Sequence, residues 1–217
     1  MNNKPILIVL GEPNSVFSEL LFKVFKNKLY QKINRPLIII GSEKLLKAQM
    51  KILKYFIKIK KINFSKNTKL NKKNINIIDV EYKFKKGFEK ISYKSEKYIN
   101  NCFKIALKLL KKKQAFGLIN GPISKTHFLK KKYLGITEYL SRKLNIKKEP
   151  TMLIYNPNFS VCPVTTHVPI NKVSKILSKN KIINDVININ NFYRKKKRIK
   201  PKIAILGLNP HCESVQK

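Results

Sequence analysis

Of the three histidines in this chain, two occupy matching places. His167 ends the run Ser-Val-Cys-Pro-Val-Thr-Thr-His and is followed by Val168-Pro169, while His211 ends Ile-Ala-Ile-Leu-Gly-Leu-Asn-Pro-His. Neutral imidazoles placed alike, each just past a strand end, can converge on one divalent ion such as zinc. The alternative is a local loop hydrogen bond for each. For one histidine alone that alternative is the better reading; for the pair the two stand level. Cys162 and Cys212 do not complete a closed zinc site. Cys162 and His167 are an odd number of residues apart, so an extended strand puts them on opposite faces. Cys212 cannot easily aim at the same point as its neighbour His211. His127, in the lysine-rich helical stretch Ser124 to Lys132, reads as a surface residue.

Two turns are candidates for holding an anion. Gly11-Glu12-Pro13-Asn14 follows an apolar run and opens a helical pattern, a geometry that can present N–H groups to a phosphate. An ordinary turn with Asn14 or Ser15 as helix cap explains it at least as well. Gly121-Pro122-Ile123-Ser124-Lys125 is a second such turn, in which the Lys125 ammonium can meet an anion. Neither a G-x-G-x-x-G run nor a P-loop occurs, so spacing alone marks no nucleotide site.

These residues need a frame, and the apolar pattern supplies one. Short runs at Ile6–Leu10, Leu37–Ile40, Ile75–Val80, Ala115–Ile119, Met152–Tyr155, Ser160–Thr165 and Ile203–Gly207 read as strands. Between them lie helical patterns. Phe17, Leu20, Leu21, Val24 and Phe25 share one face; Ile99, Cys102, Phe103, Ala106, Leu107 and Leu110 share another. Further helices are expected at Leu45–Phe56, Thr137–Leu144 and within Asn171–Arg194, with a polar loop over Lys60–Asn74. Such alternation predicts an α/β fold with mostly parallel sheets flanked by helices. Ligands in such sheets collect beyond the strands' carboxyl ends, where the histidines and both turns fall.

Composition narrows the partners. The chain holds 48 Lys+Arg against 11 Asp+Glu, a net charge of +37, which first suggests a polyanion. Yet the lysines are spread along the chain between apolar residues, as on solvated faces, and no RNP-like run or paired Cys/His finger occurs. Nucleic acid is therefore the lesser reading. Three widely spaced cysteines fit reduced thiols, and no apolar stretch is long enough for a bilayer. A soluble, cytoplasmic protein is expected.

The motifs taken in order resemble one family. Gly11-Glu12-Pro13, Asn120-Gly121-Pro122-Ile123-Ser124-Lys125, Gly135-Ile136-Thr137-Glu138, Val164-Thr165-Thr166-His167-Val168-Pro169 and Gly207-Leu208-Asn209-Pro210-His211 are similar to those of the 4-hydroxythreonine-4-phosphate dehydrogenases of pyridoxal phosphate biosynthesis. The resemblance implies a two-lobed α/β homodimer of the isocitrate dehydrogenase class, with its site between the lobes at the dimer interface. It implies residues 1–120 as the first lobe and 121–217 as the start of the second. His167 and His211 become metal ligands, and Thr137 a contact to the phosphorylated substrate. The implied reaction is oxidative decarboxylation of 4-phosphooxy-L-threonine to 3-amino-2-oxopropyl phosphate with NAD (or NADP) and a divalent metal. The metal acts as a Lewis acid on the oxidised oxygen.

Three departures stand out. Asn14-Ser15-Val16-Phe17 replaces the glycines usual after Gly-Glu-Pro, and Ile136 replaces a histidine, removing a polar contact. Family members also continue well past the segment ending at His211, and that continuation carries a third metal histidine. The expectation is an incomplete second lobe, a weakly held metal and no activity from this chain alone. Alternatives are a dehydrogenase of a phosphorylated four-carbon hydroxy acid lacking the amine, a non-catalytic remnant, or a basic RNA-binding protein.

Overall fold

The computed structural model describes residues 4–208, except 28, 29, 31, 34, 65–67, 69, 131, 134 and 147–149. His211 and Cys212 lie outside the described residues. The chain forms two compact units, Met1–Leu144 and Asn145–Lys217.

The first unit is built on a parallel sheet. Strands β1 (Ile6–Val9), β2 (Leu37–Gly41), β3 (Ile59–Lys61), β4 (Ile75–Asp79) and β5 (Gly117–Asn120) lie in the order β3-β4-β2-β1-β5. Every pairing is parallel, with Ile6 opposite both Leu37 and Gly117. Its described helices include α1 (Phe17–Lys26), α2 (Glu43–Ile52), α3 (Glu96–Lys111) and α4 (Ile136–Lys143).

The alternation of strand side chains produces two cores. Leu7, Val9, Ile38 and Ile40 point to one face, where Tyr98, Ile99, Cys102, Phe103 and Ala106 of α3 cover them. Ile8, Leu37, Ile39, Ile75 and Ile77 point to the other, against Leu21, Phe22 and Phe25 of α1 and Leu46 and Met50 of α2. Fully burying one such side chain contributes about 1.5–3 kcal/mol, so β1 and β2, apolar on both faces, must be central.

Helix ends follow local chemistry. The Ser42 hydroxyl caps α2 by accepting from Leu45 N at 3.3 Å. Helix α3 has Glu96 in its first turn and Lys108 and Lys111 in its last, each sign matched to the helix dipole.

Strand β3 overlaps the start of the Lys60–Asn74 stretch expected to be a loop. Its lysines made the segment read as polar, but an edge strand leaves such side chains in water. In the second unit the expected strands at 152–155 and 160–165 meet only in one antiparallel bridge, Ile154 to Val161. Residues 203–207 carry no ladder among the described residues. Strand propensity needs a partner and a covered face to become a strand; here Ile205 and Leu206 are exposed. Helices α5 (Ile170–Ile176) and α6 (Lys179–Phe192) appear where expected. Asp185 of α6 is buried and accepts from Thr151 Oγ1 at 2.7 Å, while Asn188 Nδ2 donates to the same hydroxyl at 2.9 Å. No described helix is long and apolar enough to cross a membrane.

Candidate functional site

The sheet order places its reversal between β1 and β5: the chain leaves β1 towards β2 on one side and returns to β5 on the other. In doubly wound sheets a ligand crevice opens at this point, beyond the strand ends. Both candidate anion turns are found there, the first after β1 and the second after β5.

The turns are locked together by backbone. Glu12 N donates to the Pro122 carbonyl at 2.7 Å, and Gly121 N donates to Val9 O at 2.7 Å. Gly11 has φ +73°, and a Cβ on it would collide with the backbone of Gly121 and Pro122; a Cβ on Gly121 would collide with the Leu10 carbonyl. Glycine is required at both positions by that approach.

Beneath the first turn lies a buried polar knot. Glu12, 3% exposed, accepts from Ser95 Oγ at 2.7 Å and from Asn14 N at 3.3 Å. The Asn14 side chain accepts from Glu89 N at 2.9 Å, and Gln49 Nε2 donates to Pro13 O at 2.7 Å and Gly87 O at 2.9 Å. Ser15 N donates to Glu12 O and Phe17 N to Ser15 Oγ. The amides of Glu12, Asn14, Ser15 and Phe17 are thus already engaged within the protein. This first turn is a strut, and its reading as a phosphate cradle gives way to the ordinary turn. Ser15 meets the start of α1, whereas Asn14 points across to the 85–89 segment. The tyrosine beside this knot, Tyr82, has its hydroxyl pKa raised by burial and by the Glu12 and Glu89 carboxylates.

The second turn leaves its cation in water. Lys125 is exposed at the start of a π-helical turn, Lys125–Leu129. His127 is half-buried, not a free surface residue. Its Nδ1 lies 2.9 Å from Ser124 Oγ, its backbone N–H donates to that oxygen at 3.1 Å, and its ring meets Tyr93 edge-on at 4.7 Å. Phe128 and Leu129, buried on the same turn, anchor it.

Thr137 is half-buried in the first turn of α4, after the Gly135 cap. Tyr139 fixes that helix. Its ring packs on Phe103, Phe128 and Tyr133, and its hydroxyl donates to Asn100 Oδ1 at 2.9 Å. Burial, with Tyr133 beside it, pushes the Tyr139 hydroxyl up to about 12. Ile136 packs against the hydrophobic core, where it offers no polar contact.

In the second unit His167 has left-handed backbone, φ +55°. Its side chain is exposed and has no hydrogen bond or ring contact among the described residues. No three His, Cys, Asp or Glu side chains cluster among the described residues. His167 by itself offers one imidazole, a donor type that borderline metals accept. The roles of Glu12, Ser95, Asn14 and Gln49 escaped sequence reading. A glutamate between glycine and proline carries no periodic signal of burial.

A parallel sheet flanked by helices, with two glycine-locked turns at its switch point, is an α/β fold of the doubly wound class. The family described as pyridoxal phosphate biosynthetic protein PdxA matches residues 32–215, and the chain belongs to that family. A curated 4-hydroxythreonine-4-phosphate dehydrogenase from Sulfurihydrogenibium sp. is 36% identical over 211 residues, covering 95% of this chain and 63% of its own length. A D-threonate 4-phosphate dehydrogenase from Salmonella typhimurium is 24% identical over 217 residues, covering 98% of this chain and 65% of its own. The fold is that of a solved 4-hydroxythreonine-4-phosphate dehydrogenase from Burkholderia phymatum, with TM-score 0.82 at 23% identity over 96% of this chain and 64% of that one. The chain therefore spans 63% to 65% of the length of these relatives.

Proposed function

We propose that this chain carries part of the site of a metal-dependent, NAD-linked (or NADP-linked) dehydrogenase. The reaction is oxidative decarboxylation of 4-phosphooxy-L-threonine to 3-amino-2-oxopropyl phosphate, in a protein that works as a homodimer with residues 1–120 and 121–217 contributing to different lobes. The observation that best supports this is the family match over residues 32–215, a span that carries Thr137, Lys125 and the exposed His167.

His167 and His211 would hold the divalent ion, which when bound supplies Lewis-acid polarisation of the oxygen being oxidised. Thr137 and Lys125 serve the substrate phosphate. A hydroxyl donates one hydrogen bond, and the lysine is a flexible point charge suited to a phosphoryl oxygen. Glycine locking at the switch point fixes the turn from which Lys125 projects. That keeps the entropy of ordering the site low when substrate arrives.

A second substrate has a specific observation in its favour. Ile136 packs against the core, and relatives named D-threonate 4-phosphate dehydrogenase match 98% of the chain at 24% identity. Ile136 makes no polar contact that would select the amine, which leaves a four-carbon phosphorylated hydroxy acid without the amine open as substrate.

Calorimetric titration of the full chain with each phosphorylated acid, zinc present, separates these readings, with NADH formation followed in the same samples. Saturable binding of 4-phosphooxy-L-threonine is expected, weakened about tenfold in Thr137→Val by loss of one hydrogen bond to a charged group. Binding of D-threonate 4-phosphate alone would transfer the reading to that substrate. Binding of neither would refute both.

A further inference from the structure

At the opposite end of the sheet from the locked turns, beside the amino ends of the strands, is a cavity of about 800 Å³. It lies wholly within the first unit. Pro5, just before β1, and Pro36, just before β2, form part of its wall. Lys4, Lys72, Lys112 and Lys113 line it, and no aspartate or glutamate does among the described residues. Phe64 and Leu70 supply apolar surface, and both are half-buried.

Concavity distinguishes this place from the lysine-rich surface in general: it is of a size that encloses a small organic molecule. Like most lysines of the chain, these four form no ion pair among the described residues. Helix α3 ends at Lys111, and Lys113 then adopts φ +54°, the left-handed turn common just past a helix C-terminus. That turn sends two consecutive lysines to the cavity rim. Four ammonium groups gathered without a counter-charge repel one another, and a multivalent anion removes that repulsion.

We propose that this cavity binds a small organic polyphosphate, its phosphates among Lys4, Lys72, Lys112 and Lys113 and its flat apolar body against Phe64 and Leu70. Lysines act on phosphate as mobile point charges, needing no fixed fork geometry. The site is separate from the dehydrogenase site and does not depend on that reading.

Adenosine 5′-diphosphate is the probe, titrated into the full chain at about 0.15 M salt, where charges beyond roughly 8 Å are screened. Lys112→Glu/Lys113→Glu is compared with Lys172→Glu/Lys175→Glu, which changes net charge equally but lies on α5. The cavity variant is expected to bind about tenfold more weakly or worse, and the α5 variant like the unmodified chain. Pyrophosphate should bind more weakly than the diphosphate nucleoside, and adenosine not measurably. Equal losses in both variants would reduce the effect to diffuse charge and overturn the proposal, as would absence of binding. Should the cavity variant fail to fold, lysine acetylation footprinting of the unmodified chain decides. Protection of Lys72, Lys112 and Lys113 by the nucleotide, with Lys172 unprotected, is expected; uniform labelling would overturn the site.

Discussion

The backbone N–H of Glu12 donates to the carbonyl of Pro122 at 2.7 Å, tying the turn after β1 to the turn after β5 across 110 positions of sequence. This bond, with Gly11 and Gly121 packed beside it, makes the switch point of the sheet one rigid piece.

Replacing Gly121 by alanine should therefore destabilise the first unit. The added Cβ meets the Leu10 carbonyl, and overpacking of this kind costs roughly 1–3 kcal/mol. Gly11→Ala should cost more, because φ +73° adds about 1–2 kcal/mol of backbone strain for an L-side chain. Urea midpoints measure both; an unchanged midpoint for Gly11→Ala would contradict the packing described.

The buried Glu12 carboxylate holds the strut from below. Glu12→Ala strands the donors at Ser95 Oγ and Asn14 N, at a cost of about 1–3 kcal/mol for buried groups left unpaired. Glu12→Gln, which keeps one acceptor oxygen, should lose less. Thermal melts that rank the glutamine variant below the alanine variant would argue against the hydrogen-bond role.

Acid should loosen the edge of the sheet through Asp79. Burial raises its pKa, but the hydrogen bond from Lys61, at 2.8 Å, the Glu43 N–H at 2.9 Å and the charge of Lys61 prevail, and the net shift is downward from 3.8. A carboxylate depressed in the folded state contributes stability fully above its unfolded value and loses it as pH falls through the folded one. The contribution is thus present at neutral pH and fades below pH 3.8. Asp79→Asn should flatten the stability curve in that acid range and leave its shape near neutrality unchanged. Denaturation midpoints across the acid range are the check, and identical slopes for variant and parent would contradict the pairing.

Cys102 should be inert in the folded protein. It is fully buried on α3, and burial pushes its thiol up to about 12, leaving almost no thiolate to react. Cys162 is half-buried, its thiol also raised by burial and by Asp185, so it should react slowly but before Cys102. Timed alkylation read by peptide mass would show the reverse order if the helix face were wrongly placed.

How far the sequence reached differs between the two units. The Ile/Leu/Val runs of β1 and of Leu37–Ile40 in β2 are covered on both faces, and that coverage is visible as composition; β4 is isoleucine-rich but includes Asn76 and Asp79. The face of α3 was legible from the spacing of Ile99, Cys102, Phe103, Ala106 and Leu107, all buried. Strand β3 was hidden because lysines at an edge look like a loop. In the second unit, β-branched runs at 160–165 and 203–207 carry the propensity of strands, but Ile154 and Val161 alone pair. The candidate site was legible as turns between glycine and proline. The buried roles of Glu12 and Asn14 were not, since they depend on Ser95 and Glu89, more than 70 positions away.

The central claim is that His167 is a metal ligand, and zinc titration of the full chain by calorimetry tests it most directly. His167→Ala should bind zinc at least about tenfold more weakly than the unmodified chain, since even outer-shell changes cost roughly 10- to 100-fold. His127→Ala, whose imidazole is held by Ser124, should bind as the unmodified chain does. If His167→Ala titrates like the unmodified chain, or if His127→Ala abolishes binding instead, His167 is not the ligand and the proposed site is wrong.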